Sequence, residues 1–282
     1  MTETIPKDAA STSSGGTVLQ TRSEGIATLW LDNPAHKNAM TPAMCRDLIE
    51  TLERINRDPS VRVLMLRGAS GNFSAGAAID EVENVLYDDF KSPQDVGMDW
   101  LTAADEAISA MRCPIISVVE GICMGGAWQI AAAADIVLAS TTARLAITPA
   151  KLGIVYPRRG LERLVRHAGP DRAKYILFLA EEINIQDALE WNLVTKVVAA
   201  GDLEVELARI AEVVQKRSNF STFHHKELIN AYCTTGPGDP LYEDQWITAW
   251  AGVLTSGDLE EGRQAFLGKQ NPRFKWSPTS AY

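Results

Sequence analysis

Residues 114–153 read PIISVVEGICMGGAWQIAAAADIVLASTTARLAITPAKLG, and the fold turns on this stretch. Ile115, Ile116, Val118 and Val119 form a β-branched apolar run, the pattern of a strand buried on both faces. The run breaks at Gly121. After a short Cys123-Met124 bridge, Gly125-Gly126 opens a helix expected over Ala127 to Ala134. A strand that delivers a glycine pair to a helix start leaves backbone N–H groups free at the positive end of the helix dipole. Glycine has no Cβ, so a substrate oxygen can approach that backbone closely. The pair is then either an anion or oxyanion pocket or a packing device that lets strand and helix meet.

Working outward, a second junction of this kind lies upstream. The apolar strand Val61 to Arg67 runs into a loop of small residues, GASGNFSAGAAIDE (68–81), with a helix expected near Ala78 and open donors after Gly76. Before it, Val18 to Gln20 and Ala27 to Leu31 read as strands around a turn at residues 23–25. Thr41-Pro42 is an N-cap followed by a first-turn proline. The helix it starts carries Met44, Leu48, Leu52 and Ile55 on one face. Residues 86–98 are charged and weakly periodic, the pattern of a mobile flap. Leu101 to Met111 reads as a helix that feeds the central strand.

Beyond Gly153, helices are expected over 160–167, 171–180 and 183–190, with a strand over 193–198. From Leu203 the pattern is all helical. A β/α core over 17–200 therefore precedes a helical region over 201–282, and the polar stretch 1–16 reads as a disordered tail.

Composition narrows the function. The chain has 282 residues, 46% of them hydrophobic, enough for a sizeable core. Its net charge of −9 and lack of a basic cluster argue against nucleic acid and anionic membrane surfaces. No apolar run approaches the roughly 18 residues a membrane span needs. The four cysteines have no ligand spacing and read as reduced thiols in a cytoplasmic setting; no metal site is expected among them and the four histidines.

Taken together and in order, LDNPAHKNAM (31–40), LRGASGNFSAGAAIDE (66–81), the central stretch, TPAKLGIVYP (148–157) and EGRQAFLGKQNPRFKW (261–276) are similar to the crotonase (enoyl-CoA hydratase/isomerase) superfamily. The resemblance implies a ββα spiral with a helical C-terminal region that completes trimers, often paired into hexamers. It implies an acyl-CoA substrate, with coenzyme A arriving as part of the substrate and no separate cofactor. The enolate oxygen of the thioester would meet the backbone N–H groups of Ala77 and Gly126. Coenzyme A would lie along the Lys37-Asn38-Ala39 loop and the backbone near Ala75 and Ile79. Phe274 and Lys275 would reach its adenine or phosphate; each lysine otherwise reads as a solvated surface residue.

The same resemblance exposes departures. The hydratases hold a water with two glutamates, and those positions carry Gln129 and Pro149 here. Neither can take a proton from water at neutral pH. Thr148-Pro149 with Tyr156 instead resembles the methylmalonyl-CoA decarboxylase branch, where such hydroxyls face the substrate carboxylate. That branch carries a histidine where this chain has Ala77 and an acid where it has Gln129, so the match is partial. Asp80 and Glu81 read either as replacement acid or base or as helix-start carboxylates held by the dipole. Arg158 and Arg159 could pair with an anion or cap a helix, and His224-His225 reads as a solvated face. The expectation is a lyase, by decarboxylation or non-standard hydration. The alternatives are an isomerase, an acyl-CoA hydrolase or a silent homologue that binds coenzyme A.

Overall fold

The computed structural model describes residues 15–88 and 98–278. Nearly all of the expected tail and residues 89–97 of the expected flap lie outside them. Strands β1 (Thr17–Ser23) and β2 (Ile26–Asp32) pair antiparallel. Parallel to β2 run β3 (Val63–Gly68), β4 (Ile115–Val119), β6 (Ile136–Ser140) and β9 (Lys196–Val198), giving a six-stranded sheet in the order β1-β2-β3-β4-β6-β9. A second sheet of three short strands, β5 (Ile122–Met124), β7 (Arg144–Ala146) and β8 (Glu182–Ile183), is ordered β5-β7-β8.

The chain repeats one move. After β2, β3, β4 and β6, a short extended segment pairs in a second layer, and a helix returns the chain. β4 is followed by β5 and helix α3 (Gly126–Ala132), and β6 by β7 and, past the 148–157 turn, helix α4 (Arg158–Ala168). In the earlier turns the second strand shrinks to a single bridge. Ser74, past β3, pairs with Cys123 of β5; Met40, past β2, pairs with Ala77 and leads into α1 (Pro42–Asn56). This is the ββα spiral. Cys123-Met124, read from the sequence as a mere bridge, thus belong with Ile122 to a strand whose three residues, all apolar, are too few to show a period.

The helices follow their local signals. Thr41 Oγ1 accepts from Met44 N at 3.1 Å and Pro42 opens α1, whose Met44, Leu48, Leu52 and Ile55 are buried against the sheet. Helix α2 (Trp100–Ser109) is capped by Asp99, which accepts from Thr102 N. Helices α4 and α5 (Pro170–Leu179) meet at Gly169, whose φ of +78° suits glycine alone among common residues.

Three expected elements differ. The helix near Ala78 is a single 3-10 turn, Ile79–Glu81, followed by a wider turn of helix at Asn84–Asp88. Ile183 belongs to β8, and the next helix, α6 (Ile185–Glu190), starts one residue past an Asn184 cap. Leu193 and Val194 turn back onto the Ala188 carbonyl, so β9 begins only at Lys196. Apolar character marked burial in each case, and backbone hydrogen bonding set the ends.

From Leu203 the described chain is helical: α7 (Leu203–Gln215), α8 (Asn219–Thr235), α9 (Pro240–Gly252) and α10 (Asp258–Leu267). Helix α7 is no appendage. Its Leu203, Leu207 and Ala211 close a second core with Val63, Met65, Ile116, Val118 and Leu138 on the sheet face away from α1. Arg67, 7% exposed, ties the two together: it reaches Glu204 at 2.6 Å and Glu120 at 2.7 Å and lies 4.7 Å over the Trp30 ring. An arginine this buried requires such partners.

Candidate active site

The two glycine junctions converge. Residues 73–77 run beside β5, with Ser74 N donating to Ile122 O and Met124 N to Ser74 O, both at 3.1 Å. Gly76, at φ +92°, comes so close that a Cβ there would stand 2.5 Å from Met124 O and 3.2 Å from Gly126 N. Only glycine permits this approach, and it places the Ala77 peptide next to the start of α3.

The first loop is locked from inside. Asn38 is fully buried, its Nδ2 donating to Ala69 O and Asn72 O at 2.8 Å and its Oδ1 accepting from Asn33 N at 2.9 Å. Ser74 Oγ donates to Asn38 O at 2.6 Å and accepts from Gly76 N at 3.0 Å. Ala75 N donates to Lys37 O, Met40 N to Gly76 O at 2.7 Å and Ala78 N to Met40 O. Between those last two bonds sits the Ala77 amide, which has no acceptor among the described residues.

The second loop is held differently. Gly125 N donates to Ala146 O at 2.7 Å. Gly126 opens α3, so its amide has no carbonyl one turn back and none elsewhere among the described residues. Tyr156, 6% exposed, donates its hydroxyl to Gly125 O at 3.2 Å. Burial pushes this phenol well above its ordinary range, so it stays protonated. Thr148 Oγ1 lies 3.7 Å from where a Gly125 Cβ would be.

Around both amides opens a pocket of about 70 Å³. Of the residues expected at a site, Ala75, Ala77, Ile79, Gly126, Thr148, Pro149 and Tyr156 line it. The rest of its wall is apolar: Val82, Leu86, Leu101, Leu152, Ile154 and Pro157. Its only side-chain polar groups among the described residues are the two hydroxyls. Leu101 carried no signal in the sequence beyond helical spacing, yet it touches the key residue, since a Cβ on Gly126 would meet its Cδ1 at 2.4 Å.

Other expected residues stand apart from this lining. Gln129 is fully buried beneath it, with neither amide atom hydrogen-bonded among the described residues. Asp80 is exposed at the short turn. The Lys37 side chain is exposed and Ala39 is buried, its carbonyl accepting from Asn33 Nδ2. Phe274 packs beside Gly262 of α10, and Lys275 is exposed. Beside the glycine pair, Trp128, for which the sequence set no role, is core, its Nε1 donating to Leu193 O. Arg158 and Arg159 pair with Glu162 and Glu106. His224 is not a solvated face: it packs among Phe220, Phe223 and Trp276, and burial lowers its pKa.

Among the described residues no group of three or more His, Cys, Asp or Glu could hold a metal, and no helix is long and apolar enough to cross a membrane. A hollow of about 450 Å³ opens between α8, α9 and Trp276, without the paired open amides.

Comparison with known proteins agrees with this geometry. A solved structure described as an enoyl-CoA hydratase/isomerase family member shares 38% identity and superposes with a TM-score of 0.87, covering 94% of this chain and 98% of its own. Methylmalonyl-CoA decarboxylase of Escherichia coli K12 is 30% identical over 84% of this chain and 89% of its own length. A probable enoyl-CoA hydratase of Mycobacterium leprae is 26% identical over 92% and 97%. The enoyl-CoA hydratase/isomerase profile matches residues 21–277. The chain therefore belongs to the enoyl-CoA hydratase/isomerase, or crotonase, family.

Proposed function

We propose that the protein is an acyl-CoA lyase that stabilises a thioester enolate between the Ala77 and Gly126 amides, with decarboxylation as its reaction. One observation carries this reading. The pocket holds two open backbone donors and two hydroxyls, and no described carboxylate or imidazole lines it. Hydration and isomerisation need a group that takes a proton, and Asp80, the nearest candidate by sequence, is exposed outside the lining. Decarboxylation does not. The bond from Cα to the carboxylate breaks, its electron pair moves into the thioester to form the enolate, CO2 leaves, and Cα then takes a proton from water.

The apolar wall favours this by stripping water from the leaving carboxylate, while Thr148 offers a hydrogen bond. Loss of one donor to such an oxyanion typically costs about 2.7–4 kcal/mol, so two placed donors are a substantial part of the barrier reduction. The similarity to the Escherichia coli decarboxylase is consistent with this reading, although that branch has a histidine at the Ala77 position. Coenzyme A enters as part of the substrate, along the 37–39 loop and the backbone of Ala75 and Ile79.

We extend the proposal to assembly as a homotrimer or homohexamer in the cytoplasm. Helix α9 presents a row of aromatics, with Trp246 and Trp250 stacked at 6.1 Å and 45% and 70% exposed. Such a surface is the kind a second copy covers.

Mass spectrometry of the protein incubated separately with methylmalonyl-CoA, malonyl-CoA and crotonyl-CoA tests the reaction. Loss of CO2 from either of the first two supports it. Water added to crotonyl-CoA, with the carboxylated substrates untouched, would overturn it in favour of non-standard hydration.

A further inference from the structure

The open amide of Gly126 and the carbonyl of Gly125 belong to one peptide unit. Tyr156 donates its hydroxyl to that carbonyl at 3.2 Å. A hydrogen bond to a peptide oxygen draws electron density toward it and leaves the N–H of the same unit a stronger donor. It also fixes the plane of the peptide, and so the direction in which the N–H points.

The other donor is built alike. The peptide that carries the Ala77 amide has Gly76 as its carbonyl, and that oxygen accepts from Met40 N at 2.7 Å. Both open amides are thus backed by a donor on the far side of their own peptide. The first backing is main chain alone; at the second, Tyr156 joins the Trp128 amide, which donates to Gly125 O at 3.3 Å.

We infer that Tyr156 is a positioning residue for the Gly126 amide, acting through the Gly125–Gly126 peptide rather than by donating its proton to the substrate. Its one hydroxyl hydrogen is committed to Gly125 O and is not available to a substrate carboxylate at the same time. The ring is placed by close packing. Gly160 of α4 lies so near that a Cβ there would meet Tyr156 Cε1 at 2.8 Å and Cζ at 3.0 Å, and Gln129 Oε1 at 2.8 Å. Buried at 6% exposure, the ring has no room to swing its hydroxyl elsewhere without moving α4.

This inference rests on the enolate reading above, and the test separates the two. The probe is propionyl-CoA labelled with 13C at the thioester carbonyl, which has no carboxylate to decarboxylate or to bind. Difference infrared spectroscopy reads the carbonyl stretch when the probe binds the wild-type protein, Tyr156→Phe and a protein carrying 3,5-difluorotyrosine at position 156. Hydrogen bonds from the two amides lower the stretch in the wild type. In Tyr156→Phe that shift shrinks by about 10–30%, the share cooperative polarisation supplies. In the difluorotyrosine protein it grows, because the fluorinated phenol is the stronger donor.

A wild-type shift that Tyr156→Phe and difluorotyrosine both leave unchanged overturns the positioning role alone. No shift in the wild type overturns the enolate reading and this inference with it. Should Tyr156→Phe fail to fold, the difluorotyrosine protein decides the matter by itself, since it keeps the hydroxyl, adds only small fluorines to the ring and strengthens the donor.

Discussion

The two loops that present the open amides do the same job with different materials. The Ala77 loop is fastened by main chain and by two wholly internal side chains, Asn38 and Ser74, which donate to carbonyls across thirty or more positions of sequence and accept from nearby amides. The Gly126 loop is fastened by two main-chain bonds, Gly125 N to Ala146 O and Trp128 N to Gly125 O, and by the Tyr156 hydroxyl, a group delivered from the far end of the 148–157 turn. The first is a closed network in which loss of any member leaves a buried group unpaired. The second has a single side-chain clamp, the phenol. Variants should therefore damage the first loop through stability and the second through donor alignment.

Gly76→Ala should do most harm, because it forces both loops apart at once. A Cβ 2.5 Å from Met124 O, at φ +92°, cannot be accommodated without moving β5 or the Ala77 peptide. Turnover, on whichever thioester proves active, should fall about 10²–10³-fold, the loss expected of one donor.

Asn38→Ala tests the closed network. The carbonyls of Ala69 and Asn72 would lose the Asn38 donor inside the protein. Each buried group left unpaired costs about 1–3 kcal/mol, which denaturant unfolding would register as a lower midpoint. An unchanged midpoint would show that water enters the loop and that the network is not closed.

Tyr156→Phe sharpens the contrast on the other side. It should cost only about 0.5–1.5 kcal/mol at neutral pH. The buried phenol holds its proton more tightly than the unfolded chain does, with its pKa raised above the ordinary 10.0. The stability it supplies is therefore present in full below pH 10 and fades as pH rises toward the folded value. Wild type and variant should converge in that alkaline range, as read from unfolding midpoints against pH.

Gln129→Met should be the mildest change. The amide is fully buried with no partner among the described residues, so an apolar chain of like size should leave stability within about 0.5 kcal/mol or raise it. A loss beyond about 1 kcal/mol would reveal a buried water bonded to that amide.

Much of the fold was legible because its signals are local. The β-branched run before Gly121, the Thr41-Pro42 cap and the one-sided row of Met44, Leu48, Leu52 and Ile55 each set an element whatever lies around it. The site was legible in part for the same reason: glycines before a helix declare open amides. Leu101, Asn38 and the burial of Gln129 were not, since nothing beside them in sequence distinguishes a wall, a clamp or an orphaned amide. The reading of β5 failed for a related reason, because three residues, all apolar, are too few to show a strand's period.

By itself the sequence determined which backbone could be left bare: glycine at 76 and 126 admits the close approach, and glycine at 125 the positive φ between them. It also determined that Gln129 and Pro149, where the resemblance implies hydratase glutamates, carry no group able to act as a base. Only the tertiary structure decided that residues 76 and 126, fifty positions apart, meet across β5. It alone decided that Asp80 is exposed and that the Tyr156 hydroxyl donates to Gly125 O. Steric freedom and proton affinity belong to a residue, while distance and direction belong to the packing of elements that sequence separation does not encode.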